Sequence, residues 1–373
     1  MAAEILAKGG AGVTIHDHMA APARKFLLAG RGGLNLTHSE PLDQFLERYG
    51  EAKGFLEPAI RAFPPDALVA WANGLGVETF VGSSGRVFPK RMKASPLLRS
   101  WLKRLESLGV KLQTRSRWQG FDGTPTILAM GGASWPHLGS DAAWVSILQA
   151  AGVTVNPFKP SNGRFLVNWS PIFRQRFAGT PVKNVALAYA GHRVRGEVMI
   201  SHEGIEGGAI YALSRGMREM PGYPLVIDLR PDLTVETLVA RLARPRGKDT
   251  QSNYLRKVAG LAPVAISLLR ETQTASNAAG IKAVALQILR PAGIARAISS
   301  AGGVAREELD GGFQLKKMPG TYAIGEMLDW EAPTGGYLLQ ACFSTAVTAA
   351  RALLETADRL PTDRHISMAL SDP

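Results

Sequence analysis

One stretch decides the fold of this chain: Thr321-Tyr-Ala-Ile-Gly-Glu-Met-Leu-Asp-Trp-Glu-Ala-Pro-Thr-Gly-Gly-Tyr-Leu-Leu-Gln340. It predicts a short buried strand over Tyr322–Ile324, a loop with acidic residues, the pair Gly335-Gly336 and then a helix. Glycine backbone lets an anion or a flat ring approach closely, and the free N–H groups at the start of a helix favour negative charge. The pattern therefore indicates a ligand site, although an ordinary strand-loop-helix connection has the same pattern.

This stretch and four further segments, in the same order, resemble one bacterial family. The segments are Lys25–His38, Ser84–Pro89, Ala129–Ser140 and Ser201–Ser214. The family is that of the NAD(P)/FAD-dependent oxidoreductases of the aminoacetone-oxidase type, and the resemblance covers most of the chain. It implies an α/β fold with a discontinuous, Rossmann-like FAD-binding domain built from both ends of the chain. It also implies that hydride passes between NAD(P)H and an unidentified small organic substrate through FAD.

The resemblance implies a first set of cofactor contacts in the opening stretch. They are Gly325, Glu326, Asp329, Gly335 and Gly336. The two acids have carboxylate oxygens that accept hydrogen bonds, so we expect them to bind the ribitol hydroxyl groups. The glycines leave backbone exposed to the ligand.

A second set lies in the segment Lys25–His38. Glycines on both sides of Arg31 let backbone approach a flat ligand, and Lys25 and Arg31 supply positive charge. The resemblance places four further residues of this loop against the isoalloxazine ring: Gly32, Gly33, Asn35 and Thr37. A solvated glycine-rich loop without a ligand is the alternative.

A third set follows the apolar run Pro125–Ser134. An apolar run bounded by turns is typical of a strand buried on both faces, and this one leads into Gly131 and Gly132. The resemblance makes these two glycines cofactor residues. Arg86 is a candidate for binding an anionic substrate or a nicotinamide phosphate, and an ordinary surface arginine is the alternative.

The N-terminal segment has the pattern of half a dinucleotide-binding unit. Met1–Lys8 is helical in composition, Gly9-Gly10 forms a plausible helix end, and Val13–Asp17 predicts a strand that ends in an acid. Asp17 stands where such units have the acid that binds the adenosine ribose hydroxyls. We therefore expect Asp17 to bind the cofactor.

The strand and the Gly-x-Gly-x-x-Gly turn that precede this helix in the family are missing from the sequence. That strand is central in a doubly wound sheet. Burial of six apolar side chains from that strand, at ~1.5–3 kcal/mol each, would stabilise the fold by roughly 9–18 kcal/mol. The net stability of a whole domain is only ~5–15 kcal/mol. We therefore expect a chain that starts at Met1 to fold poorly and to hold FAD weakly. Our hypothesis is a misplaced start, with about 10–20 residues upstream; a degraded relative is the alternative.

Turn signals and prolines divide the middle of the chain. We predict an FAD-binding domain over residues 1–160 and 318–373, a β-rich, barrel-like substrate domain over 161–231 and 296–317, and a helical subdomain over 232–295.

No acid or base for catalysis stands out. His202, Glu326 and Tyr337 are the candidates. Leu338 departs from many relatives, which carry Asn there and so have a side-chain donor that this chain lacks.

Composition narrows the partners. The 373 residues carry 43 Lys+Arg against 31 Asp+Glu, for a net charge of +12, and the basic residues are scattered rather than clustered. This distribution disfavours a nucleic-acid surface and leaves a small molecule as the expected substrate.

The single cysteine, Cys342, excludes a dithiol mechanism, and the seven histidines have no metal-ligand spacing. No apolar run of ~20 residues suggests a membrane span, so a cytoplasmic location is expected. Two alternatives stay open: a flavoprotein that acts on tRNA or another nucleic acid, and a non-catalytic remnant of the family.

Overall fold

The structure is a computed structural model that describes residues 1–29, 32–357 and 365–370. Arg31, a predicted cofactor residue, lies outside these described residues. The chain forms two compact units. Unit 1 comprises Met1–Lys159 and Ile294–Pro373, and unit 2 comprises Pro160–Gly293.

Fourteen helices and seventeen strands form in the described part of the chain. The helices are α1 (Ala2–Lys8), α2 (Arg24–Ala29), α3 (Leu42–Glu47), α4 (Lys53–Ala62), α5 (Pro65–Gly74), α6 (Ala94–Ser107), α7 (Trp144–Ala150), α8 (Pro171–Phe177), α9 (Gly208–Glu219), α10 (Val235–Leu242), α11 (Gln251–Ala259), α12 (Pro263–Glu271), α13 (Ala278–Lys282) and α14 (Tyr337–Ala357). The strands are β1 (Gly12–Asp17), β2 (Thr37–His38), β3 (Thr79–Val81), β4 (Arg86–Pro89), β5 (Lys111–Thr114), β6 (Thr126–Ala129), β7 (Val155–Ser161), β8 (Phe165–Leu166), β9 (Pro181–Tyr189), β10 (His192–Ile200), β11 (Gly204–Glu206), β12 (Leu225–Asp228), β13 (Val284–Leu286), β14 (Arg290–Pro291), β15 (Ser299–Val304), β16 (Thr321–Ala323) and β17 (His365–Leu370). Short 3-10 helices include Pro136–Leu138 and Gly325–Met327.

The core of unit 1 is a five-stranded parallel sheet with the order β16-β6-β17-β1-β5. Its inner strand β6 is apolar on both faces, with Ile127 and Leu128 fully buried, whereas the edge strand β5 is largely exposed. Because parallel strands end at the same edge, the residues after β1, β6 and β16 meet at one side of the sheet. This α/β architecture is the Rossmann-like fold that the sequence predicted.

The C-terminal strand β17 occupies the middle of this sheet. All six of its residues pair with β1, from Gly12↔His365 to Asp17↔Leu370, and its last four pair with β6. Ile366, Met368 and Ala369 are buried. The sequence analysis expected this central position to lack a strand, whereas β17 fills it in the structure.

Two smaller sheets complete unit 1. Antiparallel strands form the order β2-β4-β3, and β15 pairs with β7. Residues 294–317 therefore belong to unit 1, whereas the sequence assigned 296–317 to the β-rich substrate domain. The reason is that β15 pairs with β7 (Val155–Ser161), a strand that the sequence analysis did not predict.

Unit 2 is built on a seven-stranded antiparallel sheet with the order β13-β12-β9-β10-β11-β8-β14. The helices α10 to α13 bury Leu238, Leu255 and Leu269 in the same core as the strand residues Leu187 and Ile227. The predicted β-rich and helical subdomains therefore share one core and fold as one unit.

One helix, Tyr337–Thr356 within α14, is long and apolar enough to cross a membrane by length and composition. The sequence analysis identified no such run. A core helix passes the same test, and 61% of the apolar window is buried inside the protein. This helix is weak evidence for a membrane span.

The helix α1 is tied to its surroundings through the buried carboxylate of Glu4. Glu4 accepts hydrogen bonds from Lys8 Nζ at 2.7 Å, Trp71 Nε1 at 2.9 Å and Arg104 Nη1 at 3.2 Å. Burial raises the pKa of Glu4, but these donors outweigh it, and the net pKa lies below the ordinary value of 4.5. A lowered pKa in the folded state stabilises the protein above pH 4.5 and ceases to do so as the pH falls through the folded-state value.

We therefore expect Glu4→Gln to lower the free energy of unfolding at neutral pH by about 1–3 kcal/mol, since Trp71 and Arg104 lose a charged acceptor. In urea titrations, the difference in the free energy of unfolding between wild type and Glu4→Gln should shrink as the pH falls below about 4.5. Lys8→Ala is the comparison, because the Lys8 side chain is 52% exposed and its removal leaves Trp71 and Arg104 bonded to the Glu4 carboxylate, so the loss should be smaller. A difference that is the same at every pH would contradict this role of the Glu4 carboxylate.

Candidate functional site

The candidate site lies at the edge of the parallel sheet where β1, β6 and β16 end. Ligands of open α/β sheets bind outside the carboxyl ends of the strands. Three predicted groups of residues lie at these strand ends: Asp17 is the last residue of β1, Gly131 and Gly132 follow β6, and Gly325 follows β16. The fold therefore brings together residues that are far apart in the sequence.

Asp17 closes β1 with a buried carboxylate. Its side chain is 2% exposed, and Oδ1 accepts the backbone N–H of Met19 at 2.8 Å. Burial raises the pKa of Asp17, and hydrogen bonds from the backbone of Met19 and Ala23 partly offset this. The carboxylate of Asp17 thus shapes the turn after β1.

Lys25 joins three segments at the centre of the site. Its Nζ donates to Ser134 Oγ at 2.7 Å and to Glu326 Oε2 at 2.6 Å. The other oxygen of Glu326, Oε1, accepts the backbone N–H of Ser300 at 2.8 Å. The predicted positive charge of Lys25 and the predicted acceptor Glu326 are therefore an ion pair, so neither is a free charge. The pair fixes α2 and the loops after β6 and β16 relative to one another.

Gly132 lies against protein rather than open space. A Cβ at Gly132 would stand 2.5 Å from Ser300 Oγ, and the hydroxyl of Ser300 accepts the backbone N–H of Ala133 at 2.9 Å. Gly131 has φ +74°, a conformation that favours glycine, and its carbonyl accepts the indole N–H of Trp144 at 3.0 Å. Both glycines are required by the local packing, whatever they contribute to a ligand.

The start of α14 packs on β2 through bare backbone. Gly336 has φ +98°, and a Cβ there would stand 2.5 Å from Cα of Thr37. The hydroxyl of Thr37 donates to Gln340 Oε1 at 2.8 Å, and Gln340 Nε2 donates to the carbonyl of Phe63 at 2.7 Å. The predicted residues Gly336 and Thr37 therefore meet, and Gln340 holds them together.

A cluster that the sequence analysis missed surrounds Tyr337. The phenol donates to Glu40 Oε1 at 2.5 Å, and Arg48 Nη2 donates to Glu40 Oε2 at 2.7 Å. The ring of His38 stacks on Tyr337 with centroids 5.6 Å apart, and the hydroxyl of Tyr49 donates to the carbonyl of Tyr337 at 2.8 Å. Burial and the neighbouring carboxylate of Glu40 raise the pKa of Tyr337 well above its ordinary value. Tyr337 and Glu40 are 297 positions apart, so no local sequence pattern could have predicted their contact.

The three catalytic candidates are placed as follows. Tyr337 is 5% exposed, and its phenol donates to Glu40. Glu326 is held by Lys25 and the backbone of Ser300. His202 lies in unit 2, exposed in the turn between β10 and β11.

Asp329, a predicted ribitol contact, is also engaged by the protein. Its Oδ2 accepts Asn156 Nδ2 at 2.8 Å, and its carbonyl accepts Arg306 Nε at 2.9 Å. Gly325 has φ +69°, and its carbonyl accepts Trp330 Nε1 at 2.8 Å. These contacts fix the loop after β16. Among the described residues, no group of His, Cys, Asp and Glu is arranged to hold a metal ion.

Two side chains in this region have buried polar atoms without a hydrogen-bond partner among the described residues. They are Asn35, through Oδ1, and His18, through both ring nitrogens. Buried polar groups are almost always satisfied, so such atoms mark places where a ligand or water completes the bonding. Asn35 lies in the predicted isoalloxazine loop and His18 follows the predicted ribose acid. Unsatisfied polar atoms therefore occur in two of the segments where the cofactor is predicted to bind.

A sequence model described as the HI0933-like protein Rossmann domain matches residues 1–352. The chain belongs to this family of FAD-binding oxidoreductases. Two curated relatives are each 25% identical to it. The 3-dehydro-bile acid delta(4,6)-reductase of Clostridium scindens matches over 93% of this chain and 94% of its own length, and the ribosomal RNA dihydrouridine synthase of Escherichia coli over 93% of each. A quinol-fumarate reductase structure, 13% identical, covers 97% of this chain and 70% of its own with a TM-score of 0.50, which supports the fold alone.

The residues present fit FAD. The buried acid Asp17, the unsatisfied side chains of His18 and Asn35, and the backbone at Gly336 lie at the strand ends and helix start that such folds use. The start of the 21-residue helix α14 favours a negative charge through its free N–H groups.

Proposed function

We propose that this protein is an FAD-dependent reductase that adds hydrogen across a carbon–carbon double bond conjugated to a carbonyl group, in a small apolar molecule and at the expense of NAD(P)H. The names of the two curated relatives support the reaction. A delta(4,6)-reductase acting on a 3-dehydro steroid and an enzyme that makes dihydrouridine both saturate a double bond next to a carbonyl. The relatives differ in substrate size but share this chemistry.

The net reaction is balanced by the nicotinamide and one proton. NAD(P)H gives up a hydride, a proton comes from water or a side chain, and the substrate gains both hydrogens across its double bond. Bound FAD supplies the two-electron relay between nicotinamide and substrate. The chain's own part is to hold the cofactor, to orient the substrate and to favour negative charge near the start of α14.

The observation that carries the choice of a small apolar substrate is an apolar patch beside the predicted isoalloxazine loop. We call Phe80, Phe88 and Met92 the apolar patch. Phe80 and Met92 are 40% and 38% exposed, and the rings of Phe80 and Phe88 have centroids 5.9 Å apart. A Cβ at Gly33 would stand 2.6 Å from Met92 Cε and 3.6 Å from the ring of Phe88. Exposed apolar side chains that adjoin a predicted cofactor loop suit a flat, apolar ligand.

Phe80→Ala is therefore expected to raise the KM for an apolar unsaturated ketone about tenfold, since truncating an aromatic contact removes about 1.4 kcal/mol of binding. Val81→Ala is the matched control. It removes an even more exposed apolar side chain, 56% exposed, from the opposite face of the same strand. Equal KM values in the two variants would mean that the substrate does not bind at the apolar patch.

RNA is the second candidate substrate, because the charge of the chain is concentrated in one unit. Unit 2 contains 18 Lys and Arg against 9 Asp and Glu, so it carries +9 of the total +12. Arg244, Arg246 and Lys248 are exposed in one loop of this unit. The scattered distribution noted along the sequence thus conceals a difference between the units. A basic unit favours a polyanion such as the RNA of the dihydrouridine synthases.

Turnover without oxygen distinguishes the two candidates. The protein is given NADH or NADPH with either a steroid-like unsaturated ketone or an RNA that contains uridine, and the product mass is measured. We expect the ketone to gain two hydrogens. Reduction of RNA alone, in a reaction that weakens steeply with salt, would replace the small-molecule proposal by the RNA proposal. Reduction of neither would overturn both.

A further inference from the structure

The helices α10 and α11 of unit 2 form a hairpin whose connecting loop is exposed and basic. Leu238 and Leu255 anchor the two helices in the core of this unit. The hydroxyl of Tyr254 donates to the carbonyl of Leu242 and to that of Arg244, and so ties the loop to α11. The loop therefore has a fixed position on its own unit.

Three cations of this hairpin are exposed and make no ion pair or side-chain hydrogen bond among the described residues. They are Arg244, Lys248 and Arg256. By contrast, Lys257 pairs with Asp249 at 2.9 Å. From the start of α10 to Lys257 the chain carries six Lys and Arg against two acids. The excess of positive charge is complementary to an anionic partner.

The same hairpin exposes an apolar pair on α10. Val235 and Val239 are 42% and 54% exposed, and residues four positions apart lie on the same face of a helix. The sole aromatic residue of the hairpin, Tyr254, is half-buried and holds the loop through its hydroxyl. Single-stranded RNA is bound by stacking on aromatic rings, whereas a lipid interface takes cations together with apolar side chains. The exposed side chains therefore favour lipid.

We propose that the α10–α11 hairpin docks this protein on a surface of anionic phospholipid. Arg244, Lys248 and Arg256 bind the phosphate groups of the lipid headgroups, and the two valines enter the boundary between headgroups and acyl chains. Docking on lipid suits the proposed apolar substrate, which partitions from water into lipid. It depends neither on FAD nor on the reaction, so it is tested without them.

The test is co-sedimentation of the full chain with lipid vesicles. Vesicles of an equal mixture of phosphatidylglycerol and phosphatidylcholine are compared with vesicles of phosphatidylcholine alone. We expect wild type to bind only the mixed vesicles and to be released as the salt concentration rises. Arg244→Gln/Lys248→Gln should bind them at least about tenfold more weakly, since each cation near an anionic surface contributes about fivefold to the affinity.

Arg99→Gln/Lys103→Gln is the matched control. It removes one Arg and one Lys from exposed positions of α6 in unit 1, so the change in net charge is the same. Its affinity for the mixed vesicles should stay within about twofold of wild type, because the lost charges are not at the docking surface. An equal loss in the two double variants would overturn the assignment of docking to the hairpin.

A further variant separates lipid from RNA. Val235→Thr/Val239→Thr keeps the charges and the branched shape of the side chains. It should weaken vesicle binding about threefold and leave the retention of a uridine-containing RNA unchanged. Unchanged vesicle affinity in this variant, or equal binding of wild type to the two kinds of vesicle, would overturn the proposal. Wild type that binds the RNA and not the mixed vesicles would assign the hairpin to RNA instead.

Discussion

Met368→Asp is expected to abolish the folded state of unit 1. Met368 is 4% exposed in β17, between β1 and β6, and the substitution places an unpaired carboxylate between two apolar strands. Removing such a side chain alone costs about 2–5 kcal/mol, and burying a charge without a partner adds to this. The sum approaches the ~5–15 kcal/mol that stabilises a whole domain.

The measurement is urea unfolding followed by circular dichroism, together with the FAD content of the purified protein. His365→Asp is the matched control, because His365 is exposed at the start of the same strand. We expect the control to fold and to retain FAD. If Met368→Asp unfolds at the same urea concentration as wild type, β17 does not fill the centre of the sheet.

Gly336→Ala is expected to have the second largest effect. The new Cβ would stand 2.5 Å from the Cα and carbonyl carbon of Thr37, and backbone at that distance cannot yield without moving β2 or α14. The φ of +98° adds strain for any residue other than glycine. We expect a loss of about 3 kcal/mol or more in the free energy of unfolding and at least a tenfold loss of FAD affinity.

Gly54→Ala serves as the comparison for this variant. Gly54 lies in α4, where a Cβ meets nothing within 4 Å, and alanine there is expected to be neutral or to stabilise by about 0.5–1 kcal/mol. Both proteins are measured by the same unfolding and flavin titrations. Equal stability of the two variants would show that α14 does not approach β2 as closely as the Thr37 contact requires.

The fold was predictable where local patterns decide it. The strand predicted over Val13–Asp17 forms as Gly12–Asp17, the strand predicted over Tyr322–Ile324 forms as Thr321–Ala323, and the helix begins at Tyr337 as predicted. β17 was not predicted, because six residues, His-Ile-Ser-Met-Ala-Leu, are too few for a periodic signal. Its place is set by pairing with strands more than 200 positions away, and β propensity depends on such context.

The site was predictable in its location and only partly in its details. The glycines and acids after the strands meet at one edge because parallel strands end together. The sequence treated Lys25 and Glu326 as separate ligand contacts, whereas they form an ion pair across 301 positions. Likewise, the commitment of Tyr337 to Glu40 depends on tertiary packing.

The most direct measurement of the central claim is a single turnover without oxygen. The FAD-loaded protein is reduced with NAD(P)H, separated from excess nucleotide, and mixed with an unsaturated ketone or with its saturated counterpart. We predict that the visible absorbance of oxidised flavin returns only with the unsaturated ketone, and that one equivalent of saturated product forms. A reduced flavin that stays reduced with unsaturated ketones of every size, or that is oxidised equally by the saturated control, would contradict the proposal.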